Sequence, residues 1–319
     1  MTPSLVSVVV PAYNCAEHLY DTLKTVFAQD HAPIEVIIVD DGSTDTTPDV
    51  LQRLETERPD QVRVIHQANA GSARARNAGC QAAQGEFIAF IDCDDPWLPG
   101  KLSEQVAYLN AHADVDFIFN DYLWWEPDED GVHRFPEPVP ERPGEIDPTR
   151  SGWLFNALFL TPMVHTSAVM MRASLYQKVG PFSEDLRKGQ DYDYWLRCAT
   201  ETEIHCLATR RSLYRIHPGS ITFRPRPINY NYLILERALA RTGIESRGRA
   251  VSRREVDHRF ARVAFDFAWL HYGDGDPWLA ARWYWRAVRH KPSYWKAWIF
   301  IPLAVLKGLR QGVSGARKA

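Results

Sequence analysis

Three carboxylates stand close together near position 93 of the sequence. Asp92, Asp94 and Asp95 fall within four residues, directly after the mostly apolar run 86–91, which predicts a buried strand. Such crowding of negative charge is costly without a compensating cation. Carboxylate oxygens suit Mg²⁺ or Mn²⁺, and an ion that keeps open positions can bridge diphosphate oxygens. The pattern therefore predicts a divalent metal site, with a solvated acidic turn as the alternative.

A second polar group, DDGS at positions 40–43, follows another predicted strand. A carboxylate fixed there, at Asp41, can accept hydrogen bonds from a nucleobase N–H or a ribose hydroxyl. The same residue types also end strands in turns and cap helices, a role open to Ser43 or Asp45. Tyr13, three residues past the first predicted strand, either stacks on a base or packs at the rim of the site.

The elements that must position these residues alternate between short β-branched runs and amphipathic segments of helix length. The predicted strands are Leu5–Val10, Ile34–Val39, Val62–His66 and Glu86–Ile91, and the predicted helices are Ala16–Gln29, Asp45–Glu57 and Ser72–Ala83. This alternation predicts an α/β fold with a mostly parallel sheet flanked by helices. Because ligands bind beyond the carboxyl ends of parallel strands, we expect residues 13–14, 40–43 and 92–95 to meet at one site.

The rest of the chain divides by composition. Residues 126–150 are rich in Pro and acidic residues, which predicts an extended surface loop. A folded segment follows over about 152–220. From Ile228 onward the sequence predicts helices, including a hairpin over 260–290. With 319 residues, 45% of them hydrophobic, the chain suffices for one large domain and an appendage.

Several motifs together resemble one enzyme family. Positions 6–29 read VSVVVPAYNCAEHLYDTLKTVFAQ, and IEVIIVDDGSTDTT follows. This opening closely resembles that of family 2 glycosyltransferases of the GT-A fold. The resemblance continues, in family order to about residue 223, through NAG, ARN, FIDCDDPW, GQDYDYWLR and YRIHPGS. It implies a nucleotide-diphospho-sugar donor, a divalent metal, Mn²⁺ or Mg²⁺, and inversion at the anomeric carbon.

The resemblance also implies a domain organisation. Residues 1–224 correspond to the GT-A catalytic domain, with a nucleotide-binding half over 1–125 and an acceptor-binding half over 126–224. Residues 225–319 then form a basic helical C-terminal subdomain.

Asp191, in the motif GQDYDYWLR, matches the family's general base. Such a carboxylate takes the proton of the acceptor hydroxyl as its oxygen attacks the anomeric carbon. Asp193 is the alternative base, and a further alternative is that Asp191 only favours a helix N-terminus electrostatically. Gln190 replaces the family's acid, which leaves the acceptor contacts of this motif open.

Binding roles carry over residue by residue from the same motifs. The resemblance implies nucleotide-sugar binding by Pro11, Tyr13, Asp41, Arg76, Asp92 and Asp94, and metal ligation by Asp94, Asp95 and His217. The small residues around Arg76 predict a helix that approaches the sheet closely.

The implied reaction adds one sugar to a hydroxyl of a glycan or lipid-linked acceptor in bacterial surface polysaccharide assembly. The chain has neither the Q-x-x-R-W motif nor the membrane helices by which processive synthases resemble one another. One alternative is a catalytically inactive sugar-nucleotide-binding or scaffold protein, supported only by Gln190. Another is a nucleotidyltransferase on a similar fold, although the first loop, PAYNCAEHL, lacks that class's Gly and Arg. No nucleic-acid partner is expected.

The net charge of −3 hides an asymmetry along the chain. Residues 1–209 carry 15 Lys and Arg against 33 Asp and Glu, whereas residues 210–319 carry 22 against 7. Residues 282–319 interleave Trp with basic residues, which predicts peripheral contact with an anionic membrane. The alternative is that these Trp residues form the core of the helical hairpin or a homodimer contact. Pro302 predicts a break or kink in any continuous helix there.

Five cysteines without a C-x-x-C pair indicate neither a disulfide framework nor a zinc site. The N-terminal apolar stretch lacks a basic region before it, unlike a signal peptide, and no window holds about 18 consecutive apolar residues. The sequence therefore predicts a cytoplasmic protein, with the membrane contact at the cytoplasmic face.

Overall fold

The computed structural model describes residues 4–137, 142–216 and 225–316, with side chains to residue 311. The chain divides into two compact units. The first unit comprises Met1–Leu158 and Pro162–Pro218, and the second comprises Phe159–Thr161 and Gly219–Ala319.

The first unit is built on a seven-stranded sheet. Its strands are β1 (Val6–Ala12), β2 (Ile34–Asp40), β3 (Val62–His66), β4 (Phe87–Phe90), β5 (Phe117–Trp125), β6 (Val169–Arg172) and β7 (Ile204–Arg215). They lie in the order β3-β2-β1-β4-β6-β5-β7. β6 runs antiparallel to both β4 and β5, and the other neighbouring pairs are parallel. The predicted mostly parallel sheet is thus confirmed.

The central strands are apolar because helices cover both faces of the sheet. Val8 of β1 lies between Val36 of β2 and Ala89 of β4, and all three are fully buried. These pairings align the carboxyl ends of β1, β2 and β4. The loops that carry Tyr13, Asp41 and Asp92 therefore leave the sheet at the same edge.

Seven α-helices of the described chain precede residue 202. They are α1 (Ala16–Phe27), α2 (Thr47–Glu57), α3 (Ser72–Ala82), α4 (Lys101–Ala111), α5 (Phe155–Leu160), α6 (Ala173–Val179) and α7 (Gln190–Glu201). In α3, a Cβ added at Gly79 would lie 2.5 Å from Val9 Cγ1, so only glycine permits this close approach to β1. The small residues of α3 thus hold Arg76 near the strand ends.

The second unit contains four longer helices, α8 (Tyr230–Thr242), α9 (Arg253–Asp274), α10 (Pro277–His290) and α11 (Trp295–Ala316). Ser252 and Glu255 form a capping box at the start of α9, and Asp276 caps α10. The predicted hairpin is present as α9 and α10. Among the described residues, no helix has both the length and the apolar content needed to cross a membrane.

Of the break or kink predicted at Pro302, the break does not occur. α11 continues from Trp295 to Ala316 with Pro302 inside it. Pro302 lies on the exposed side of the helix, where water can satisfy the carbonyl group that loses its intrahelical partner.

Candidate active site

Asp95 anchors the turn that follows β4. Its side chain is 2% exposed. Oδ1 accepts a hydrogen bond from the backbone N–H of Arg215 at 3.0 Å, and Oδ2 accepts one from Ser167 Oγ at 2.9 Å. Arg215 also donates from Nε to the carbonyl oxygen of Asp94 at 2.9 Å. These contacts tie the DCDD turn to the end of β7 and to the segment before β6.

Asp92 forms an ion pair with Arg76, which lies on α3. Arg76 Nη2 donates to Asp92 Oδ1 at 2.6 Å. Burial disfavours the charged guanidinium, but the carboxylates of Asp92 and Asp191 outweigh burial and raise the pKa of Arg76. Its Nε and Nη1 are buried and have no hydrogen-bond partner among the described atoms. Buried donors without partners are rare, so the N–H groups of these two nitrogens indicate a place where a ligand binds.

Asp191 opens α7 beside this pair. Gly189 adopts a left-handed conformation with φ 71° and starts the helix. Asp191 Oδ2 accepts a hydrogen bond from Thr166 Oγ1 at 2.9 Å, and Oδ1 accepts one from the N–H of Tyr192 at 2.8 Å. The structure therefore brings Asp191 together with Arg76 and Asp92.

The segment His165-Thr166-Ser167 links these carboxylates and was missed by sequence reasoning. Ser167 bonds Asp95 through Oγ and also accepts from the N–H of Asp92 at 3.0 Å, while Thr166 bonds Asp191. The signal available in the sequence was three consecutive polar residues between the apolar stretches TPMV and AVMM. We call residues 165–167 the HTS segment.

His165 is the least buried member of the HTS segment, and two tyrosine rings pack against it. Its ring lies 4.9 Å from that of Tyr122 and 5.0 Å from that of Tyr214, between centroids. Nε2 lies 3.0 Å from Asp95 Oδ2. Burial lowers the pKa of His165, but the negative charge of Asp95 outweighs burial, and the net shift is upward.

Asp41 holds the loop that precedes α3. Its buried carboxylate accepts hydrogen bonds from Gln67 Nε2 at 2.7 Å and from the N–H groups of Ala70 at 2.9 Å and Gly71 at 2.8 Å. Asp45 caps the start of α2, accepting from the N–H of Thr47 at 2.9 Å.

Two residues predicted to bind the nucleotide lie on or just after β1. Pro11 belongs to that strand, whereas Tyr13 follows it and is 49% exposed. Next to Tyr13, Asn14 accepts from the N–H of Thr44 at 2.8 Å. The phenol ring of Tyr13 is thus accessible beside the 40–45 loop.

The alternative base Asp193 lies on the packed side of α7. It is 1% exposed, and its Oδ2 accepts from Ser183 Oγ at 2.8 Å and from Arg197 Nε at 3.2 Å. Gln190 donates from Nε2 to Ser72 Oγ, while its buried Oε1 has no partner among the described atoms. The amide that replaces the family's acid thus fastens the start of α7 to the start of α3.

The donor set at the turn fits a hard divalent cation of the Mg²⁺ or Mn²⁺ type. Asp92 and Asp94 are partly exposed, whereas Asp95 is enclosed by protein donors. Within the described residues, no three His, Cys, Asp or Glu side chains form a metal cage. Mg²⁺ is typically held by one or two carboxylates together with substrate phosphates, which this arrangement permits. His217 lies outside the described residues.

Comparison with known proteins gives a consistent result. A family model described as glycosyl transferase family 2 matches residues 7–180, more than half of the chain. An uncharacterized glycosyltransferase of Nostoc sp. is 48% identical over 101 residues, which are 32% of this chain and 31% of that protein. The Escherichia coli UDP-Glc:alpha-D-GlcNAc-diphosphoundecaprenol beta-1,3-glucosyltransferase WfaP is 36% identical over 118 residues, 37% of this chain and 46% of WfaP. The matches thus span about a third to a half of these relatives.

Two solved structures share the fold. Staphylococcus aureus TarS 1–349 in complex with UDP-GlcNAc superposes with a TM-score of 0.59 and 18% identity, over 89% of this chain and 81% of that one. The mannosyltransferase PcManGT from Pyrobaculum calidifontis, in complex with GDP-Man and Mn²⁺, gives a TM-score of 0.55 and 18% identity. The superposition covers 97% of this chain and 88% of that one. At this identity the likeness shows the GT-A fold.

Proposed function

The chain belongs to glycosyl transferase family 2, and on this premise we propose that it transfers one sugar from a nucleotide-diphospho-sugar to a hydroxyl of a glycan or lipid-linked acceptor. The observation that carries the proposal is the convergence of Arg76, Asp92, Asp95 and Asp191 around the HTS segment. If the acidic turn were only solvated, its carboxylates would not need hydrogen-bond donors from buried side chains.

The donor binds along the carboxyl ends of β1, β2 and β4. We assign residues 1–125 to nucleotide binding and residues 126–224 to acceptor binding. Tyr13 stacks on the base from its exposed position, and Pro11 and Asp41 shape the pocket beside it. Since Asp41 already accepts three protein hydrogen bonds, its contribution includes holding the 67–71 loop in place.

The nucleotide-diphospho-sugar lies against Arg76, Asp92 and Asp94, with its diphosphate at Arg76. The N–H groups on the unpartnered Nε and Nη1 of Arg76 suit phosphate oxygens, because a guanidinium binds them in a planar, charge-assisted geometry. Asp94, with Asp95 and His217, would hold Mn²⁺ or Mg²⁺. Such an ion, when bound, neutralises the charge that develops on the leaving diphosphate.

Asp191 is the general base. It removes the proton of the acceptor hydroxyl as that oxygen attacks the anomeric carbon, and the nucleoside diphosphate leaves from the opposite face. This single displacement inverts the anomeric configuration. The hydroxyl of Thr166 fixes Asp191 Oδ2, so the carboxylate is oriented before the acceptor arrives.

The acceptor is a glycan or a lipid-linked intermediate of bacterial surface polysaccharide assembly. Support comes from WfaP, whose name specifies a GlcNAc-diphosphoundecaprenol acceptor. The match covers about a third of this chain, so it supports an acceptor class and leaves the sugar and linkage to experiment.

A ligand screen tests the donor proposal. A ligand that binds only the folded state raises the melting temperature, so we expect one of UDP-, GDP- or dTDP-sugars to do so with Mn²⁺ and to lose the effect in excess chelator. Undiminished stabilisation in chelator contradicts the metal assignment. Stabilisation without transfer to any acceptor or to water would favour an inactive sugar-nucleotide-binding protein.

A further inference from the structure

Helix α11 has two apolar faces, although it needs only one for packing. Ala297, Ala304 and Gly308 are buried and share one side of the helix at spacings of seven and four residues. A Cβ at Gly308 would lie 2.8 Å from the ring of Trp278 on α10, so this side packs closely against its neighbour. A helix packed on one side ordinarily presents polar residues on the other.

The opposite side of α11 is apolar and exposed. Trp295, Trp298, Ile299, Leu306 and Leu309 recur at helical spacing and are between 48% and 64% exposed. In the described part of the chain, no acidic side chain occurs on α11. Isolated exposed apolar residues are common, but a contiguous exposed apolar patch marks an interaction site.

Helix α10 extends the same surface. Trp278, Arg282, Trp285 and Arg289 are exposed and fall at spacings of four, three and four residues, so they form one stripe along the helix. The ring of Trp285 meets that of Trp298 edge to face, with centroids 5.8 Å apart. The apolar side chains of the two helices are therefore continuous. We define the tryptophan–leucine face as Trp278, Trp285, Trp295, Trp298, Ile299, Leu306 and Leu309.

The charged residues around the tryptophan–leucine face are basic. Residues 277–319 contain nine Lys and Arg and no Asp or Glu. Arg282 and Arg289 alternate with Trp on α10, and Lys296 and Arg310 are exposed on α11 beside the apolar stripe. Two copies docked through this face would bring like charges together, whereas an anionic surface would attract all of them.

We propose that the tryptophan–leucine face docks into the headgroup region of an anionic lipid bilayer. Trp side chains favour the boundary between headgroups and acyl chains, the Leu and Ile side chains enter the apolar layer, and the basic residues contact the lipid phosphates. The benefit to a lipid-linked acceptor rests on the proposed function. Docking itself does not rest on the proposed function, because membrane binding is measured without any sugar transfer.

Vesicle co-sedimentation tests the proposal with the full chain. The probes are vesicles of phosphatidylcholine alone and with about 30% phosphatidylglycerol. We expect the protein to sediment with the anionic vesicles in about 50 mM salt, to bind about tenfold or more weakly in about 500 mM salt, and to stay in the supernatant with phosphatidylcholine alone.

Two variants separate the apolar and basic contributions. Trp295→Gln with Leu306→Gln and Leu309→Gln keeps the charge and should weaken binding about tenfold or more. Its matched control, Val132→Gln with Ile146→Gln and Ile228→Gln, changes exposed residues elsewhere and should bind like the wild type.

Arg282→Gln with Arg289→Gln should weaken binding about fivefold for each charge. Removing the same charge elsewhere, with Arg63→Gln and Arg254→Gln, should have a smaller effect.

Three results would overturn the proposal. The wild type could remain unbound to anionic vesicles at low salt. The apolar variant could bind like the wild type, so that charge alone accounts for sedimentation. Sedimentation equilibrium could show a dimer that the apolar variant dissociates, with no vesicle binding, which would make a second copy the occupant of the face. None of these results bears on donor binding, which the ligand screen measures independently.

Discussion

In the first unit Asp41, Arg76 and Asp95 are buried, whereas in the second unit the buried polar side chains are Asn229 and His271, among the residues whose burial is described. Exposed large apolar side chains are commoner in the second unit, which holds ten of the fifteen among the described residues, although Trp124 and Phe135 of the first unit are also exposed. Trp278, Trp285, Trp295 and Leu306 are about half exposed, and all belong to the second unit.

This difference indicates two kinds of partner. Burying charge costs free energy unless hydrogen bonds and opposite charges compensate, so buried ionic groups that retain unpartnered donors indicate a small polar ligand. Exposing apolar surface to water also costs free energy, so a continuous exposed apolar face indicates a large apolar partner. We therefore infer that the first unit binds a small polar ligand and that the exposed face of the second unit meets a large apolar partner.

The largest expected effect concerns Asp191. Asp191→Asn keeps the size and the Thr166 contact but cannot accept a proton, so turnover should fall by about 10²–10⁴ while donor affinity stays nearly unchanged. Steady-state transfer and donor-induced melting shifts measure the two quantities.

Asp193→Asn is the matched control for Asp191→Asn. Its partners are Ser183 and Arg197, so it should reduce the free energy of unfolding by about 1–3 kcal/mol and leave turnover of the folded protein intact. Near wild-type turnover in Asp191→Asn would move the base to Asp193 or weaken the transferase proposal.

The next effect concerns the unpartnered donors of Arg76. A donor at about 100 times its dissociation constant should stabilise the wild type by about 2.7 kcal/mol, and Arg76→Met should lose most of this gain. Met retains the apolar stem contacts, and Asp92 is partly exposed to water. Without ligand, Arg76→Met should therefore lower the free energy of unfolding by less than about 2.7 kcal/mol.

Arg197→Met is the matched control for Arg76→Met. Arg197 donates to Asp193 and to two backbone carbonyls, so its removal should lower the ligand-free stability and keep the donor-induced shift. Thermal unfolding with and without donor distinguishes the two arginines. Equal donor shifts in wild type and Arg76→Met would remove Arg76 from the donor site.

A smaller effect concerns the stability of the first unit and its buried lysine, which has no role in the proposed ligand binding. Lys101 is fully buried, with Nζ 2.8 Å from Gln105 Oε1 and 4.1 Å from the centroid of Trp97. Burial lowers the pKa of Lys101 well below its usual value of 10.5, against the attraction of Glu104. The unfolded chain therefore binds more protons than the folded one between the lowered pKa and 10.5, and stability should rise with pH there by up to about 1.4 kcal/mol per unit.

Lys101→Met should abolish this pH dependence and match or exceed wild-type stability at neutral pH, because an apolar side chain of similar length replaces a buried charge. Urea unfolding from neutral to mildly alkaline pH measures it. Lys24→Met, at an exposed position, should leave the slope unchanged. A strongly destabilised Lys101→Met would show that this charge is held by its partners and is not merely tolerated.

Local patterns predicted the N-terminal strands and helices well. Val62–His66 was predicted to the residue, and α3 begins at the predicted Ser72, because apolar alternation and a small-residue helix are properties of the residues themselves. The HTS segment was missed for the opposite reason. Ser167 and Asp95 are 72 residues apart, and their contact arises only when β6 inserts antiparallel beside β4.

The aromatic residues of the C-terminal helices show a second limit. The sequence left open whether Trp283, Trp285, Trp295 and Trp298 form a core, since α11 is apolar on both sides and periodicity cannot select one. In the structure Trp283 packs on Tyr232 and Phe267, and the other three are exposed. Solvent exposure depends on which face meets α10, and that is decided by packing at small residues such as Gly308.

The smallest expected effect compares the two faces of α11 directly. Leu306 and Leu309 are about half exposed, while Ala304 is fully buried on the packed side. Leu306→Gln with Leu309→Gln should lower the free energy of unfolding by less than about 0.5 kcal/mol for each change, because Gln has similar helix propensity and little burial is lost. Ala304→Gln should cost about 1–3 kcal/mol, because it overpacks the contact and buries an amide. Urea unfolding without lipid measures both. A loss for the exposed pair as large as that for Ala304→Gln would mean that this side of α11 is covered in solution, and the tryptophan–leucine face would then not be available to a membrane.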